Sequence, residues 1–79
     1  MTKEEYMRMY EIVGAAMEVY NELGCGMAEL LYQEAMAMEL DAQGIPYSRE
    51  KELYTYYKGQ KMQKTYVADF LSQNMIVEF

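Results

Sequence analysis

Apolar residues in the first half of the chain recur every three or four positions, which is the spacing of an amphipathic α-helix. Thr2 followed by Glu5 matches a capping box, so a first helix should begin near Lys3. Gly24 should end this helix in a left-handed cap, because glycine adopts that conformation without steric cost. The predicted buried stripe consists of Met9, Ile12, Val13, Ala16, Tyr20 and Leu23.

A second helical pattern runs from about Met27 to Gln43, after a short turn at Cys25-Gly26. Gly44 follows the last periodic residue and should end this helix. Because the connection is short, the two helices should pack as an antiparallel helical hairpin. The predicted inward face of the second helix consists of Leu30, Leu31, Ala35, Met38 and Ala42.

The remaining residues have the composition of β-strands and turns. The predicted strands cover residues 53–57, 64–71 and 75–79, with turns at residues 58–61 and 72–74. Two helices followed by a three-stranded antiparallel β-meander constitute an α+β fold. Since nothing repeats and no linker is present, residues 1–79 are expected to form a single domain.

The second turn decides how two acidic residues are placed. A two-residue loop at Gln73-Asn74 would put Asp69 opposite Glu78, with Cβ atoms about 5 Å apart. This register predicts a carboxylate pair that can chelate one hard cation. A three-residue loop would move the two side chains to opposite faces of the sheet, as unrelated surface acids. Spacing alone leaves both registers open.

Composition limits the chemistry of any site. The 79 residues include one cysteine and no histidine, which excludes an internal disulfide and the commonest zinc ligand. A metal site would therefore use oxygen ligands, which favour Mg²⁺, Mn²⁺ or Ca²⁺. The sequence contains no apolar run of transmembrane length and no signal-peptide pattern, so we expect a cytoplasmic protein without a membrane partner.

The charge is unevenly distributed. Residues 1–45 carry a net charge of −7 and residues 46–79 a net charge of +1, for a total of −6. An acidic chain is a poor non-specific ligand for phosphate backbones. The basic residues of the second half nevertheless cluster at Arg49, Lys51, Lys58, Lys61 and Lys64, beside the tyrosines Tyr54, Tyr56 and Tyr57. In one interpretation the lysines solvate the tip of a hairpin and the tyrosines belong to an ordinary half-buried sheet. In the other, the tyrosine rings stack on nucleic-acid bases beside the basic residues.

The segment Gly26-Met27-Ala28-Glu29-Leu30-Leu31-Tyr32 resembles the signature of the bacterial GxxExxY protein family. Its lead-in Leu23-Gly24-Cys25-Gly26 is also similar to that of the family. From about Ile12 onward, further segments occur in the family's order and at similar spacing. These segments are Gly44-Ile45-Pro46, Tyr56-Tyr57-Lys58-Gly59, Ala68-Asp69-Phe70-Leu71 and Ile76-Val77-Glu78.

That family resembles the PD-(D/E)XK nuclease superfamily, whose core is a mixed sheet flanked by helices. The resemblance implies a partial restriction-endonuclease-like core in which Asp69, Glu78 and the helix carboxylate Glu29 form the catalytic, metal-binding set for Mg²⁺ or Mn²⁺. The lysine of the E-x-K motif would be residue 80, one position beyond Phe79. On this interpretation the chain is truncated, and its hydrolysis of phosphodiesters would be weak or absent.

A second interpretation is a non-catalytic interaction module. Its third strand would leave an exposed sheet edge, and its helices are rich in methionine, so a homodimer or higher oligomer would complete the core. Two motif residues also have plain structural interpretations. A Glu29 carboxylate in the first turn of a helix would stabilise the exposed backbone N–H groups and the positive helix end. Tyr32 is expected to be a packed aromatic residue whose hydroxyl reaches a polar partner.

Overall fold

The computed structural model describes residues 1–79, which form two helices followed by three strands. The strands lie in one antiparallel sheet of order β1-β2-β3, and the α+β architecture expected from the sequence is confirmed. Neither helix is both long and apolar enough to cross a lipid bilayer. The elements are α1 Lys3–Leu23, α2 Glu29–Gln43, β1 Ser48–Tyr57, β2 Gln60–Ser72 and β3 Met75–Val77.

Helix α1 begins as predicted and ends differently. The Thr2 hydroxyl accepts a hydrogen bond from the Glu5 backbone N–H at 3.1 Å, which confirms the capping box. Gly24 ends the helix, but its dihedral angles (φ 74°, ψ −168°) are not those of the predicted left-handed cap. In this positive-φ conformation the Gly24 carbonyl oxygen accepts a hydrogen bond from the Tyr32 hydroxyl at 2.6 Å.

Helix α2 begins at Glu29, two residues later than predicted. The backbone N–H of Met27 donates to the Tyr32 hydroxyl at 3.1 Å, which holds Met27 in the connecting loop rather than in a first helical turn. At the other end, Gly44 adopts the expected left-handed conformation (φ 70°, ψ 27°).

The core lies between the helices and one face of the sheet, and its largest fully buried side chains are Met36, Leu40 and Phe70. The predicted inward face of α2 is wrong for Leu30, Leu31 and Met38, which are 75%, 48% and 65% exposed, whereas Ala35 packs partly buried against the core. Apolar residues surround most of this helix, so their spacing did not identify which face packs. The buried residues of α2 are Tyr32, Met36, Ala37 and Leu40.

The predicted stripe of α1 is correct in part, since Ala16 and Leu23 pack partly buried against the core. Ile12 is buried as expected, but the other buried residues of this helix are Ala15 and Val19. Met9, Val13 and Tyr20 lie beside that stripe and are exposed. The neighbouring groove between α1 and β3 has a volume of about 370 Å³ and is lined almost entirely by apolar residues, so α1 presents a second apolar face to solvent.

Strands β1 and β2 are longer than predicted, and β3 is shorter, since it ends at Val77 rather than Phe79. Charged residues at positions 49–52 concealed the start of β1, because an edge strand outside the core tolerates them. Lys58 and Gly59 both have positive φ, as in the tight turns of β-hairpins. No residue from 46 to 67 is buried, so the outer part of this hairpin extends beyond the core.

Candidate metal centre

The register of β2 and β3 sets two acidic residues just beyond the last pair of their ladder, Asp69 on β2 and Glu78 directly after β3. Phe70 pairs with Val77, Leu71 with Ile76, and Ser72 with Met75. The connecting loop is therefore Gln73-Asn74, and the two-residue register is the one that forms. The pair of β2 and β3 farthest from the turn is Phe70 with Val77. Asp69 directly precedes Phe70 in the sequence, and Glu78 directly follows Val77.

Each carboxylate accepts one hydrogen bond from the protein. The backbone N–H of Phe79 donates to Oδ2 of Asp69 at 2.8 Å, and the Tyr66 hydroxyl donates to Oε1 of Glu78. The ladder ends at Val77, because the amide of Phe79 turns to the Asp69 side chain instead of a strand carbonyl. Asp69 is partly exposed and Glu78 is exposed, so both remain accessible to a solvated ion.

Tyr66 is a member of this site that sequence reasoning missed. Its hydrogen bond to Glu78 is the largest cause of a raised Tyr66 pKa, followed by desolvation and by the negative charges of Glu78 and Asp69. The hydroxyl therefore remains a protonated donor at neutral pH. Tyr66 precedes Asp69 by three residues on β2, and nothing in that spacing indicates contact with a different strand.

Glu50 is a second neighbour that the sequence did not reveal. Arg49 pairs with Phe70 and Lys51 with Ala68, which puts Glu50 across from Asp69 on β1. Glu50 itself is absent from the ladder and has a φ of 51°, which is unusual for a non-glycine residue. Like charges placed directly opposite in a sheet repel, and the irregular backbone at Glu50 interrupts that pairing.

Glu29 stands apart from the two strand carboxylates. It is the first residue of α2, is exposed, and accepts a hydrogen bond from the Gln33 side-chain amide at 3.4 Å. No group of three or more carboxylate, histidine or cysteine side chains is close enough to hold a metal ion, so Glu29 does not join Asp69 and Glu78 in one cluster. Its position in the first helical turn stabilises the positive end of α2.

Tyr32 links the start of α2 to the end of β3. Its ring is buried, and its hydroxyl donates to Gly24 and accepts from Met27, so the expectation of a packed aromatic residue with a polar partner is confirmed. The Tyr32 ring centroid lies 4.8 Å from that of Tyr20, which in turn lies 6.4 Å from that of Phe79. This aromatic row connects the helical loop to the residue whose amide contacts Asp69.

The carboxylates of Asp69 and Glu78 have the donor chemistry of a hard-cation site, although no third carboxylate, histidine or cysteine completes a cluster with them. Two accessible carboxylates supply oxygen ligands of the type that Mg²⁺ and Mn²⁺ prefer. Hydrogen bonds from Tyr66 and Phe79 occupy one oxygen of each carboxylate, and neither remaining oxygen has a protein hydrogen-bond partner. Such outer contacts orient ligands before an ion arrives. Two carboxylates alone would leave most coordination positions to water, as is common for Mg²⁺.

Comparison with protein families matches residues 6–79 to the PD-(D/E)XK nuclease superfamily. Because this match spans nearly the whole sequence, the chain belongs to that superfamily. Members of the superfamily are typically metal-dependent, which agrees with the oxygen donor set at Asp69 and Glu78. No curated protein and no solved structure gave a significant match to the chain.

Proposed function

We propose that the chain is a GxxExxY-family protein whose Asp69 and Glu78 bind Mg²⁺ or Mn²⁺ for phosphodiester hydrolysis. The observation that supports the proposal is the β2–β3 register, which sets Asp69 directly before the pair Phe70–Val77 and Glu78 directly after it. When bound, the ion would polarise a phosphate oxygen and lower the pKa of a coordinated water. The protein's part is to hold two carboxylates in place, through the amide of Phe79 and the hydroxyl of Tyr66.

The three named positions of the GxxExxY motif have separable roles in this proposal. Gly26 has a φ of 86°, a conformation that favours glycine in the loop. Glu29 opens α2, and Tyr32 fixes the loop through two backbone hydrogen bonds. The motif thus builds the helix start that the aromatic row joins to Phe79. A role for Glu29 as a third carboxylate rests on the family resemblance alone, since it forms no cluster with Asp69 and Glu78 in this structure.

Calorimetric titration with Mn²⁺ tests the metal site directly. The wild-type chain should bind one ion, and Asp69→Asn and Glu78→Gln should each weaken binding at least about tenfold, because each removes one of two charged ligands. Glu34→Gln is the matched control, since Glu34 is an exposed carboxylate of α2 without a hydrogen-bond partner in the protein. Absence of binding at millimolar Mn²⁺, or equal binding by all four chains, would refute the site.

A second candidate function is a non-catalytic, homo-oligomeric interaction module. Only 11 of 79 residues are buried, and a core this small is marginal for a free-standing domain. The outward face of α2 is apolar where a monomeric protein would carry polar residues, with Leu31 and Met38 two turns apart. A second copy of the chain, packed on this face, would bury both side chains.

Sedimentation equilibrium distinguishes a monomeric chain from a homo-oligomer. If α2 mediates self-association, Leu31→Gln and Met38→Gln should each raise the dimer dissociation constant by roughly tenfold. Each substitution removes a large apolar side chain that the dimer contact would bury. Gln33→Ala, on another side of the same helix, serves as the control. A wild-type chain that stays monomeric at high micromolar concentration would rule out the module.

A further inference from the structure

The outer part of the β1–β2 hairpin, residues 53–66, is chemically unlike the rest of the molecule. This hairpin arm contains four tyrosines, three lysines and no acidic residue. Its net charge is +3, whereas the remaining 65 residues carry four basic and thirteen acidic side chains, a net charge of −9. The negative total charge of the chain therefore conceals one strongly positive element.

The tyrosine rings of the hairpin arm are exposed and accompanied by lysines. Tyr54, Tyr56 and Tyr57 are 52%, 64% and 65% exposed. The Lys61 ammonium group lies 3.7 Å from the ring centroid of Tyr54, and the Lys58 ammonium group lies 5.5 Å from that of Tyr57. Each pair places an aromatic surface and a positive charge within a few ångströms of one another.

We propose that the hairpin arm binds single-stranded nucleic acid. Proteins that bind single strands without sequence preference combine exposed aromatic rings, on which bases stack, with positive charges that follow the phosphates. Tyr56 is 64% exposed and lies opposite Lys61 across the hairpin, so its ring is available for stacking next to a lysine. The pairing of each ring with a lysine suits a ligand that alternates flat bases with phosphates along its length.

A role for the hairpin arm in leading the substrate to the two carboxylates deepens the proposed function and rests on it. Tyr66 is both the last residue of the arm and the donor to Glu78. Along β2, Lys61 precedes Asp69 by eight residues, which is roughly 26 Å in an extended strand. A nucleic-acid strand held on the arm would thus run along β2 toward Asp69 and Glu78.

Fluorescence anisotropy with a labelled oligothymidylate of about 12 nucleotides tests the proposal. The titration uses the full chain in EDTA at about 50 mM salt, so the result does not depend on a metal site. Tyr56→Ala should weaken binding roughly fivefold or more, whereas Tyr56→Phe keeps the ring and should bind within about twofold of the wild type. Tyr10→Ala, an equally exposed tyrosine on α1, should have no effect.

The lysines are tested through salt dependence. Replacing Lys58 and Lys61 together by glutamine should reduce the slope of log K against log salt by about 1.4, since each phosphate contact contributes about 0.7 for a single strand. The proposal is overturned if the wild type does not bind at low salt, or if Tyr56→Ala binds as tightly as Tyr56→Phe. It is also overturned if the lysine replacements leave oligonucleotide binding unchanged and alter only self-association, measured by sedimentation. The arm would then dock on the acidic helices of a second copy. Binding without Mn²⁺ affinity would leave this inference standing and refute the metal site alone.

Discussion

The backbone N–H of Phe79 donates a hydrogen bond to Oδ2 of Asp69 at 2.8 Å, beyond the last ladder pair of β2 and β3. One carboxylate thereby has two tasks in the proposed site. Its oxygen fixes the chain after β3, and its charge attracts a cation. These tasks are separable, because asparagine preserves an acceptor oxygen without the charge.

Asp69→Asn and Asp69→Ala should therefore differ in stability but not in metal binding. Asp69→Ala leaves the Phe79 amide without its partner and should lower the free energy of unfolding by about 1 kcal/mol. Asp69→Asn should cost less than half of that, while both variants lose Mn²⁺ affinity. Urea denaturation and calorimetry on the same samples check the pair. Equal destabilisation by the two variants would show that the hydrogen bond to Phe79 is not the stabilising contact.

Tyr32→Phe tests the structural role of the motif tyrosine. The change removes the hydroxyl that bonds the Gly24 carbonyl and the Met27 amide, while the buried ring remains. We expect a loss of about 1 kcal/mol in the free energy of unfolding, with faster hydrogen exchange at the Met27 amide. Tyr10→Phe, on an exposed part of α1, is the control and should change stability by less than about 0.5 kcal/mol. An unaltered exchange rate at Met27 would contradict the assignment.

Local signals in the sequence predicted the start of α1 and the end of α2, and they limited the second turn to two registers. Thr2 and Glu5 form their capping box, Gly44 adopts its left-handed cap, and the loop Gln73-Asn74 gives one of the two registers considered. Each of these features depends on a few neighbouring residues. A short stretch of sequence therefore contains nearly all of the information that determines them.

Features that depend on distant residues were not predictable in the same way. In the hairpin, Tyr57 pairs with Gln60, but the register then shifts by two residues between Tyr54 and Tyr56, so Glu50 comes to lie across from Asp69. A turn-based count would have placed Glu50 two residues away from that position. The face of α2 was misassigned for a related reason, since only the tertiary fold decides which of its apolar sides is buried.

Gly14→Ala should stabilise the chain. Gly14 is exposed in the middle of α1, and a Cβ added there would meet no atom within 4 Å. Alanine restricts the unfolded chain and favours the helix, so we expect a gain of about 0.5–1 kcal/mol. Gly24→Ala at the end of the same helix is the opposite case, because its φ of 74° strains any residue with a Cβ, at a cost of about 1–3 kcal/mol. Thermal denaturation should place the two variants on either side of the wild type.

Tyr47 provides the pH-dependent prediction. Burial raises the pKa of its hydroxyl above the ordinary value of 10.0, and the hydrogen bond to Asp41 with the negative charge of that residue raises it further. Because the folded state holds this proton more tightly, the resulting stabilisation is complete below pH 10 and is lost as the pH rises through the folded pKa.

Asp41→Asn should lower the Tyr47 pKa toward 10.0 without restoring it fully, because the burial remains. Carbon-13 NMR of labelled tyrosine resolves the Tyr47 signal, which the Tyr47→Phe variant identifies. Alkaline denaturation should then begin at lower pH in Asp41→Asn than in Glu39→Gln, a control on the same helix whose carboxylate bonds only the Gln43 side chain. If Tyr47 titrates in both variants as it does in the wild type, Asp41 does not raise the Tyr47 pKa. The hydrogen bond between Tyr47 and Asp41 of α2 then makes no contribution to stability at alkaline pH.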